Sequence, residues 1–416
     1  MHILFVTENF PPETNAAAAR VYERACYWVK WGHRVTVLTT APNFPAGKLY
    51  EGYENKWFDR SEWDGIEILR VKTFISANRG FALRTLDFLS FMTTGFFAGI
   101  MQEPPDVVVA TSPQFFAAVG GWAIASAKRR PFVFELGDLW PASIRAVGAM
   151  KTEILLDAVE KLELFMYRKS AAVVALTPSF KKDLVRRGIE EDKIAVVING
   201  VDLPRYSPRP KDKELAVKWG VGNKFVVGYI GTHGMAHGLG NVLDAAKLLR
   251  DRKDIAIMLV GDGAERNALE ARVKKEGLTN LVMVPRQAKK EMPRFWSLCD
   301  VALVHLKDNP VFSEVIPSKI FEAMAMGKPM ILAAPKGEAT GIVSRTNSGL
   351  CIPPESPKYL AEAIEGLKDD QIGTERLAKA SKDAAQHHSR ERQAELMIEV
   401  LSDAATEYTF ENRGHG

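Results

Sequence analysis

Cysteine is nearly absent. Cys26, Cys299 and Cys351 are the only three in 416 residues, odd in number and far apart. That excludes a disulfide framework, points to a reducing compartment and leaves no zinc-type spacing. No D-x-D pair occurs to carry a divalent ion, so metal-independent chemistry is expected and no metal ligand is assigned. Glycine is missing from ENFPPETNAAAAR, the stretch after the first strand, where a dinucleotide fold wants G-x-G-x-x-G; this argues against an NAD or FAD enzyme. Neither sign of charge dominates: 55 Lys and Arg against 51 Asp and Glu give a net charge of +4. This does not suggest a nucleic-acid partner, though it tolerates an anionic substrate or membrane surface. Long apolar runs are lacking too. The most apolar window, FLSFMTTGFFAGIM at 88–101, spans fourteen residues, short of the ~20 that a membrane-crossing helix needs. It reads as a helix that is either buried or membrane-facing. The opening MHILFVTENF carries no basic leader or small-residue cleavage site and reads as the first strand. No internal repeat of solenoid length is present.

What is there is a core-forming composition, 46% apolar and 25% charged, in a chain long enough for two domains. Short β-rich runs (HILFV, RVTVLTT, GIEILRV, DVVVATS, PFVFEL, AAVVAL, KIAVV) alternate with helical stretches in the first half. That alternation predicts a parallel sheet covered on both faces. The segment NGVDLPRYSPRPKDK carries three prolines and is the best linker. After it the pattern restarts with KFVVGYIG, IAIMLVGDG, NLVMVPR, DVALVHL, PMILAA and SGLCIPP. Two α/β domains are expected, 1–205 and 206–385, facing each other across a cleft at the carboxyl ends of their strands. The last segment, 386–416, is expected to be helical and to cross back onto the first domain.

One stretch, EVIPSKIFEAMAMGKP, concentrates chemistry. Pro317 suits the first helical position and Gly327 the left-handed residue that closes a helix, predicting a helix over 317–326. Ser318 and Lys319 then lie in its first turn, where free N–H groups, the helix dipole and an ammonium favour an anion. Glu314 falls on the loop before the helix and Glu322 within it. Each is an acceptor for hydroxyls flanking a phosphate. The bland alternative is a pair of glutamates on an exposed helix. Against it stands the apolar run around them, Ile320, Phe321, Ala323, Met324 and Ala325.

The loop GTHGMAHGLG after the restart strand brings Gly231, Thr232, His233, Gly234, His237, Gly238 and Gly240 to a second helix start. Glycines let backbone N–H groups approach a phosphate, so with Lys319 this loop describes a diphosphate held between two helix starts. His233 and His237 are candidates for phosphate or sugar contact. Gly261, in VGDG, suits close approach of a base or ribose, or is a plain strand-to-helix turn. In the first half, FELGDLWP places Asp138 just past a strand, to orient a hydroxyl or to cap a helix. Glu8 and Asn9 are weaker candidates past the first strand.

These residues together resemble retaining glycosyltransferases of family 4 with the two-domain GT-B fold. The likeness spans nearly the whole chain through FPPE, WGHRVTVLTT, DLWP, PSF, INGVD, YIG, VGDG, VPR, E-x7-E with PSK, and MGKP. The resemblance implies that Glu314 contacts the donor sugar, Glu322 the ribose hydroxyls, and Gly231 and Lys319 the phosphates. Relatives often carry Arg and Lys in the glycine loop, where this chain has Thr232 and His237. Charge neutralisation is therefore expected from Lys319 and Arg286. The family's first-domain histidine is absent from GDLWP, and Asp138 occupies that neighbourhood. The catalytic set is then Asp138, Glu314 and Lys319, and the donor-binding set Gly231, Thr232, His237, Gly261, Arg286, Ser318, Lys319 and Glu322. The DLWP and PSK pair resembles the bacterial branch that builds O-antigen, capsule and colanic-acid-type polysaccharide, including fucosaminyltransferase-like members. It implies transfer of a sugar such as N-acetylfucosamine from a UDP-sugar to a lipid-linked oligosaccharide, with retention and without a further cofactor. The expected place is the cytoplasm, peripheral on the inner face of the membrane. The alternatives are a GT-B nucleotide-sugar epimerase or hydrolase, and a non-catalytic sugar-binding partner.

Overall fold

The computed structural model describes residues 1–13, 15–44, 47–75, 81–112, 115–137 and 153–413. Asp138 lies outside the described residues. The chain divides into two compact units, Met1–Asn199 with Arg390–Gly416, and Gly200–Ser389. Both are doubly wound Rossmann-like α/β units.

In the first unit β1 (His2–Val6), β2 (Arg34–Thr40), β3 (Phe58–Trp63), β4 (Ile66–Val71), β5 (Val107–Thr111), β6 (Phe132–Leu136), β7 (Ala172–Ala175) and β8 (Ile194–Val196) form one sheet. Their order is β3-β4-β2-β1-β5-β6-β7-β8. All pairs are parallel except the β3–β4 hairpin, so the expected all-parallel sheet gains one antiparallel edge. The strand FDRSEW was not predicted because it is an exposed polar edge with no alternation to read. Its turn is Asp64-Gly65, both at positive φ, 53° and 76°, as a two-residue hairpin turn requires.

Helix α1 (Ala16–Lys30) starts where the Asn15 side chain accepts from the Ala18 amide at 2.8 Å. The C-terminal helix Arg390–Arg413 returns to this unit and packs on α1. Trp28 Nε1 donates to the Ala394 carbonyl at 3.0 Å, and Arg390 pairs with Glu23 at 2.8 Å. Met397, Leu401 and Ala404 complete a core with Phe5, Val21 and Trp28.

The apolar window lies in α2 (Phe81–Ile100), twenty residues rather than the fourteen of the sequence window. Its alternatives, buried or outward-facing, are divided between its two faces. Phe91 and Ala98 join the core, and Gly99 packs so closely on Ile124 of α3 (Phe115–Lys128) that a Cβ would fall 2.4 Å from it. Leu83, Leu86, Phe97, Ile100 and the following Met101 are exposed. Among the described residues no helix is long and apolar enough to cross a membrane.

The second unit has β9 (Phe225–Ile230), β10 (Ile255–Val260), β11 (Leu281–Val284), β12 (Val301–His305), β13 (Met330–Ala333) and β14 (Gly349–Ile352). They are all parallel, in the order β11-β10-β9-β12-β13-β14. After β11 the chain returns to the other side of β9, so the winding reverses between β9 and β12. In open α/β sheets that is where a crevice forms at the carboxyl ends of the strands. The three cysteines are free. Cys299 is structural: it lies under Gly228, where a Cβ would meet its sulfur at 2.1 Å, and burial pushes its thiol up to about 12.

Candidate active site

The winding reversal gathers most of the residues singled out in the second half. Gly231 follows β9 directly and has φ +152°; a Cβ there would lie 2.8 Å from Lys319 Nζ. The two residues, 88 positions apart, are thus in contact because one of them has no side chain. The amine lies 3.8 Å from the centroid of the Tyr229 ring and makes no hydrogen bond. An ammonium over an aromatic face gains some cation–π attraction, though less than the hydration it gives up when buried. Burial pushes the Lys319 pKa down to about 7, the nearby Glu322 charge acting in the opposite sense. Near neutrality the amine is thus poised between its two forms, and an anion would decide for the cation.

The helix after the glycine loop is α4 (Gly240–Leu248), the helix after β10 is α5 (Arg266–Glu276), and Lys319 opens a later helix, α6. The α6 helix is Lys319–Ala325, shorter than the predicted 317–326. Its approach is tighter than an α-turn, the Ile320 amide reaching the Pro317 carbonyl and the Phe321 amide the Ser318 carbonyl, both at 3.1 Å. Pro317 therefore starts the turn but not the α-helix. Ser318 is exposed at the cap and makes no capping bond through its side chain. Gly327 takes φ +64° as expected.

Glu314 closes a 3-10 turn, Pro310–Glu314, and is half-buried. That turn is seated against Gly337, where a Cβ would strike the Ser313 carbonyl at 2.0 Å. Glu322 accepts from Trp296 Nε1 at 3.2 Å, which holds its carboxylate from below.

The glycine loop is tied across the reversal by two histidines. His237 Nδ1 donates to the His305 carbonyl at 3.3 Å, and His305 Nδ1 donates to the His237 carbonyl at 2.7 Å. The remaining nitrogen of His305 accepts from Asn241 Nδ2 at 2.9 Å. Burial lowers His237 to about 3 and lowers His305 as well. His237 is therefore neutral and its Nδ1 is engaged in fixing the loop. It does not replace a missing cation, and the site's positive charge rests on Lys319. Thr232 is exposed, and its carbonyl accepts from the Tyr229 hydroxyl at 2.7 Å.

Gly261 has φ +148°, and a Cβ there would lie 1.9 Å from the Gly231 carbonyl. The close approach it permits is made by the chain's own adjacent loop. Arg286 lies two residues beyond β11 and is exposed. Three strand spacings, ~14 Å, separate β11 from β12. Arg286 follows β11, two strand spacings from β9, beside which the Lys319 amine lies. Sequence reading passed over Tyr229, Trp296 and His305, which support these residues from strands and a helix 26 to 90 positions away. A histidine closing an otherwise apolar strand, VALVH, was the one available signal.

In the first unit Glu13 gathers the loop after β1. It accepts from the Asn9 side chain and from the Asn43 and Phe44 amides, each at 2.8 Å. Burial raises its pKa against those bonds. The Glu8 carbonyl accepts from Thr39 and Thr40 at 3.0 and 3.1 Å. Beneath lies a buried triad missed in the sequence: Glu135 accepts from Arg24 at 2.6 Å and faces Arg20 at 3.1 Å.

Residues 15–200 match the glycosyl transferase 4-like domain, and residues 211–387 match the family of glycosyl transferases group 1. The two matched stretches follow one another along the chain. It is 24% identical over 377 residues to WcaI of Escherichia coli (strain K12), provisionally named a colanic acid biosynthesis glycosyl transferase, covering 88% of this chain and 91% of that one. It is also 24% identical over 357 residues to the GDP-mannose-dependent alpha-mannosyltransferase of Mycobacterium tuberculosis (strain CDC 1551 / Oshkosh), covering 85% and 84%. Among solved structures it resembles Anabaena Alr3699/HepE in complex with UDP-glucose, with TM-score 0.73 and 20% identity over 97% of this chain and all of that one. Sucrose-phosphate synthase from Thermosynechococcus elongatus gives TM-score 0.77 and 16% identity, covering 97% and 98%. These likenesses place the two units in the GT-B fold class.

Proposed function

We propose that the protein is a retaining glycosyltransferase that moves a sugar from a UDP-sugar to a lipid-linked glycan in bacterial surface polysaccharide synthesis, without a metal ion. The observation that supports this reading best is the Lys319 amine, buried beside Gly231 at the winding reversal with no hydrogen-bond partner. A diphosphate would supply the missing negative charge. In the transfer step the bond from the anomeric carbon to the diphosphate oxygen breaks while the acceptor hydroxyl attacks from the same face and passes its proton to the departing phosphate oxygen. Charge builds on the departing oxygens, where an ammonium in a low-dielectric site stabilises it most. Glu314 is assigned to the donor sugar and Glu322 to the ribose hydroxyls, with Asp138 orienting a hydroxyl from the first domain. The Escherichia coli relative supports a polysaccharide acceptor, and the Anabaena complex supports UDP as carrier. The mycobacterial relative makes GDP the competing carrier. An N-acetylated amino sugar such as N-acetylfucosamine is the proposed cargo.

A thermal-shift panel of UDP- and GDP-sugars tests the donor. At a hundred times its Kd a ligand stabilises by about 2.7 kcal/mol, so the true donor should stand clear of the rest. Glu322→Gln should weaken that ligand about tenfold with the fold intact. Unchanged affinity would remove Glu322 from the ribose. Activity that vanishes with a chelator and returns with magnesium would overturn the metal-free mechanism, and conversion of the UDP-sugar without acceptor would favour the epimerase or hydrolase.

The exposed apolar face of α2 is assigned to the membrane that carries the acceptor. Flotation with anionic vesicles should carry the wild type upward and leave Phe97→Glu/Ile100→Glu behind; a wild type that stays at the bottom would return this face to solvent.

A further inference from the structure

His233 is fully buried, yet both ring nitrogens lack a hydrogen-bond partner. Its backbone is clamped: the amide donates to the Asp262 carbonyl at 2.8 Å and the carbonyl accepts from the Glu265 amide at 3.0 Å. The ring has no such anchor. Its Nε2 lies 3.3 Å from where a Gly261 Cβ would be, and its ring centroid is 6.1 Å from that of Tyr229, the ring that also carries the Lys319 amine. Two buried nitrogen side chains without partners therefore flank the single turn Gly231–His233. A buried polar group left unmatched is costly, and two around one turn mark a place for a ligand rather than a settled core.

Resting on the donor reading above, we propose that His233 is a further donor-site residue: its imidazole and the Lys319 amine together receive the diphosphate, and the site takes up a proton as it fills. The empty pocket disfavours positive charge on both groups. Burial is the main cause, pushing His233 down to about 4 and Lys319 to about 7, with the Arg266 and Lys319 charges adding to the effect on His233. The other charged and titratable neighbours do not cancel this. Arg266 is tied to the Val284 carbonyl at 2.9 Å and to Glu270 at 2.5 Å. Asp262 is exposed, His237 and His305 are neutral, Tyr229 is held protonated by burial, and Glu322 is braced by Trp296. The Glu265 carboxylate has one oxygen buried without a hydrogen-bond partner. A diphosphate reverses the balance: Lys319 keeps or gains its proton, taken from solvent, and the neutral imidazole donates its N–H to a phosphate oxygen.

Titration calorimetry of UDP in buffers of different ionisation enthalpy reads the proton directly. At about pH 8 the terminal phosphate of UDP, with a pKa of about 6, is already ionised, so uptake belongs to the protein. Wild type should take up close to one proton there and almost none at about pH 6, where Lys319 is already protonated. Lys319→Met should lose most of the uptake, and His233→Phe, which keeps a buried ring, should bind UDP about tenfold more weakly. Binding by the wild type with no uptake at about pH 8, or wild-type affinity in His233→Phe, overturns this proposal and leaves the donor reading standing. Failure of wild type to bind UDP at all overturns both.

Discussion

Lys319→Met should slow sugar transfer by about two to three orders of magnitude and at the same time raise the melting temperature. The first effect follows from the proposed chemistry. Removing one preorganised donor from a developing anion costs about 2.7–4 kcal/mol of barrier, and here the donor carries a full charge. The second follows from the empty site. Lys319 is buried with no hydrogen-bond partner, and burial holds its pKa at about 7, whereas in the unfolded chain it is near 10.4. Folding must therefore strip a proton from the amine or bury its charge, and methionine removes that cost while filling the same space. Replacing a buried charge with an apolar side chain of similar size can stabilise by about 1–4 kcal/mol, at ~2–4 °C per kcal/mol for a domain of this size. The penalty is in full force below about pH 7, declines as pH rises, and is gone near pH 10, where the unfolded lysine has also lost its proton. The gain in melting temperature should shrink along that range. Calorimetry from about pH 6 to 10 with single-turnover assays checks both halves. A variant that transfers sugar normally, or melts lower than wild type at about pH 6, contradicts this account of the amine.

A group whose removal strengthens the fold and weakens the proposed reaction is what a binding site looks like before its ligand arrives. The same logic covers His233, and it separates both from His237. His237 has a partner for its Nδ1 and is thereby committed to the loop. The glycine loop is held in advance by the paired histidine carbonyl bonds across β9 and β12, so a donor would meet a shaped crevice and lose little entropy in shaping it.

The parts of this site that were legible are those encoded over short spans. The E-x7-E spacing around Pro-Ser-Lys, the glycines after a strand and the restart of the β-rich pattern each need a window of a dozen residues. Gly327 announced its left-handed close, and thirteen of the fourteen strands among the described residues were readable because buried parallel strands are continuous apolar runs. What escaped depends on contacts between distant segments. Nothing in KFVVGYIG says that Tyr229 lies under Lys319, nor does the sequence around Trp296 say that its indole bonds Glu322. The helix start at Lys319 rather than Pro317 reflects a tight 3-10 turn, with the Ile320 amide bonded to the Pro317 carbonyl. Arg286 was grouped with Lys319 on charge, and strand order, which no local pattern encodes, sets β11 two spacings from β9, beside which the Lys319 amine lies. Glu135 was legible in principle. A glutamate inside FVFEL demands a buried cation, and Arg20 and Arg24, one turn apart on an alanine-rich helix, were available to supply it.

That triad gives the largest expected loss of stability. Glu135 is wholly buried, with Arg24 at 2.6 Å and Arg20 at 3.1 Å. Arg20 also reaches Thr111 Oγ1 at 3.2 Å, and the Arg24 guanidinium lies 5.8 Å from the Trp28 ring and 6.0 Å from that of Phe5. Burial works against the Glu135 charge, but the two arginines prevail and hold its pKa below the usual carboxylate value. Burial lowers Arg24 to about 10 in spite of the glutamate. Glu135→Leu removes the only carboxylate among the described residues that pairs with either arginine and strands two guanidinium groups, at a cost of about 3–5 kcal/mol. Urea unfolding should show that loss as a lower midpoint at unchanged slope. Glu135→Leu with Arg24→Met should recover part of it, because one of the stranded charges is gone. In the wild type the carboxylate's contribution is present above the pKa of an unfolded glutamate and is lost as pH falls through its lower folded value. The effect should extend to activity. Arg20 Nη2 lies 3.3 Å from where a Gly137 Cβ would be, so the triad packs against the residue that precedes in sequence Asp138, the residue proposed to orient a hydroxyl. A Glu135→Leu protein that unfolds within 1 kcal/mol of wild type, a margin set by ordinary surface changes, would show that the arginines find other partners and that this support is not needed.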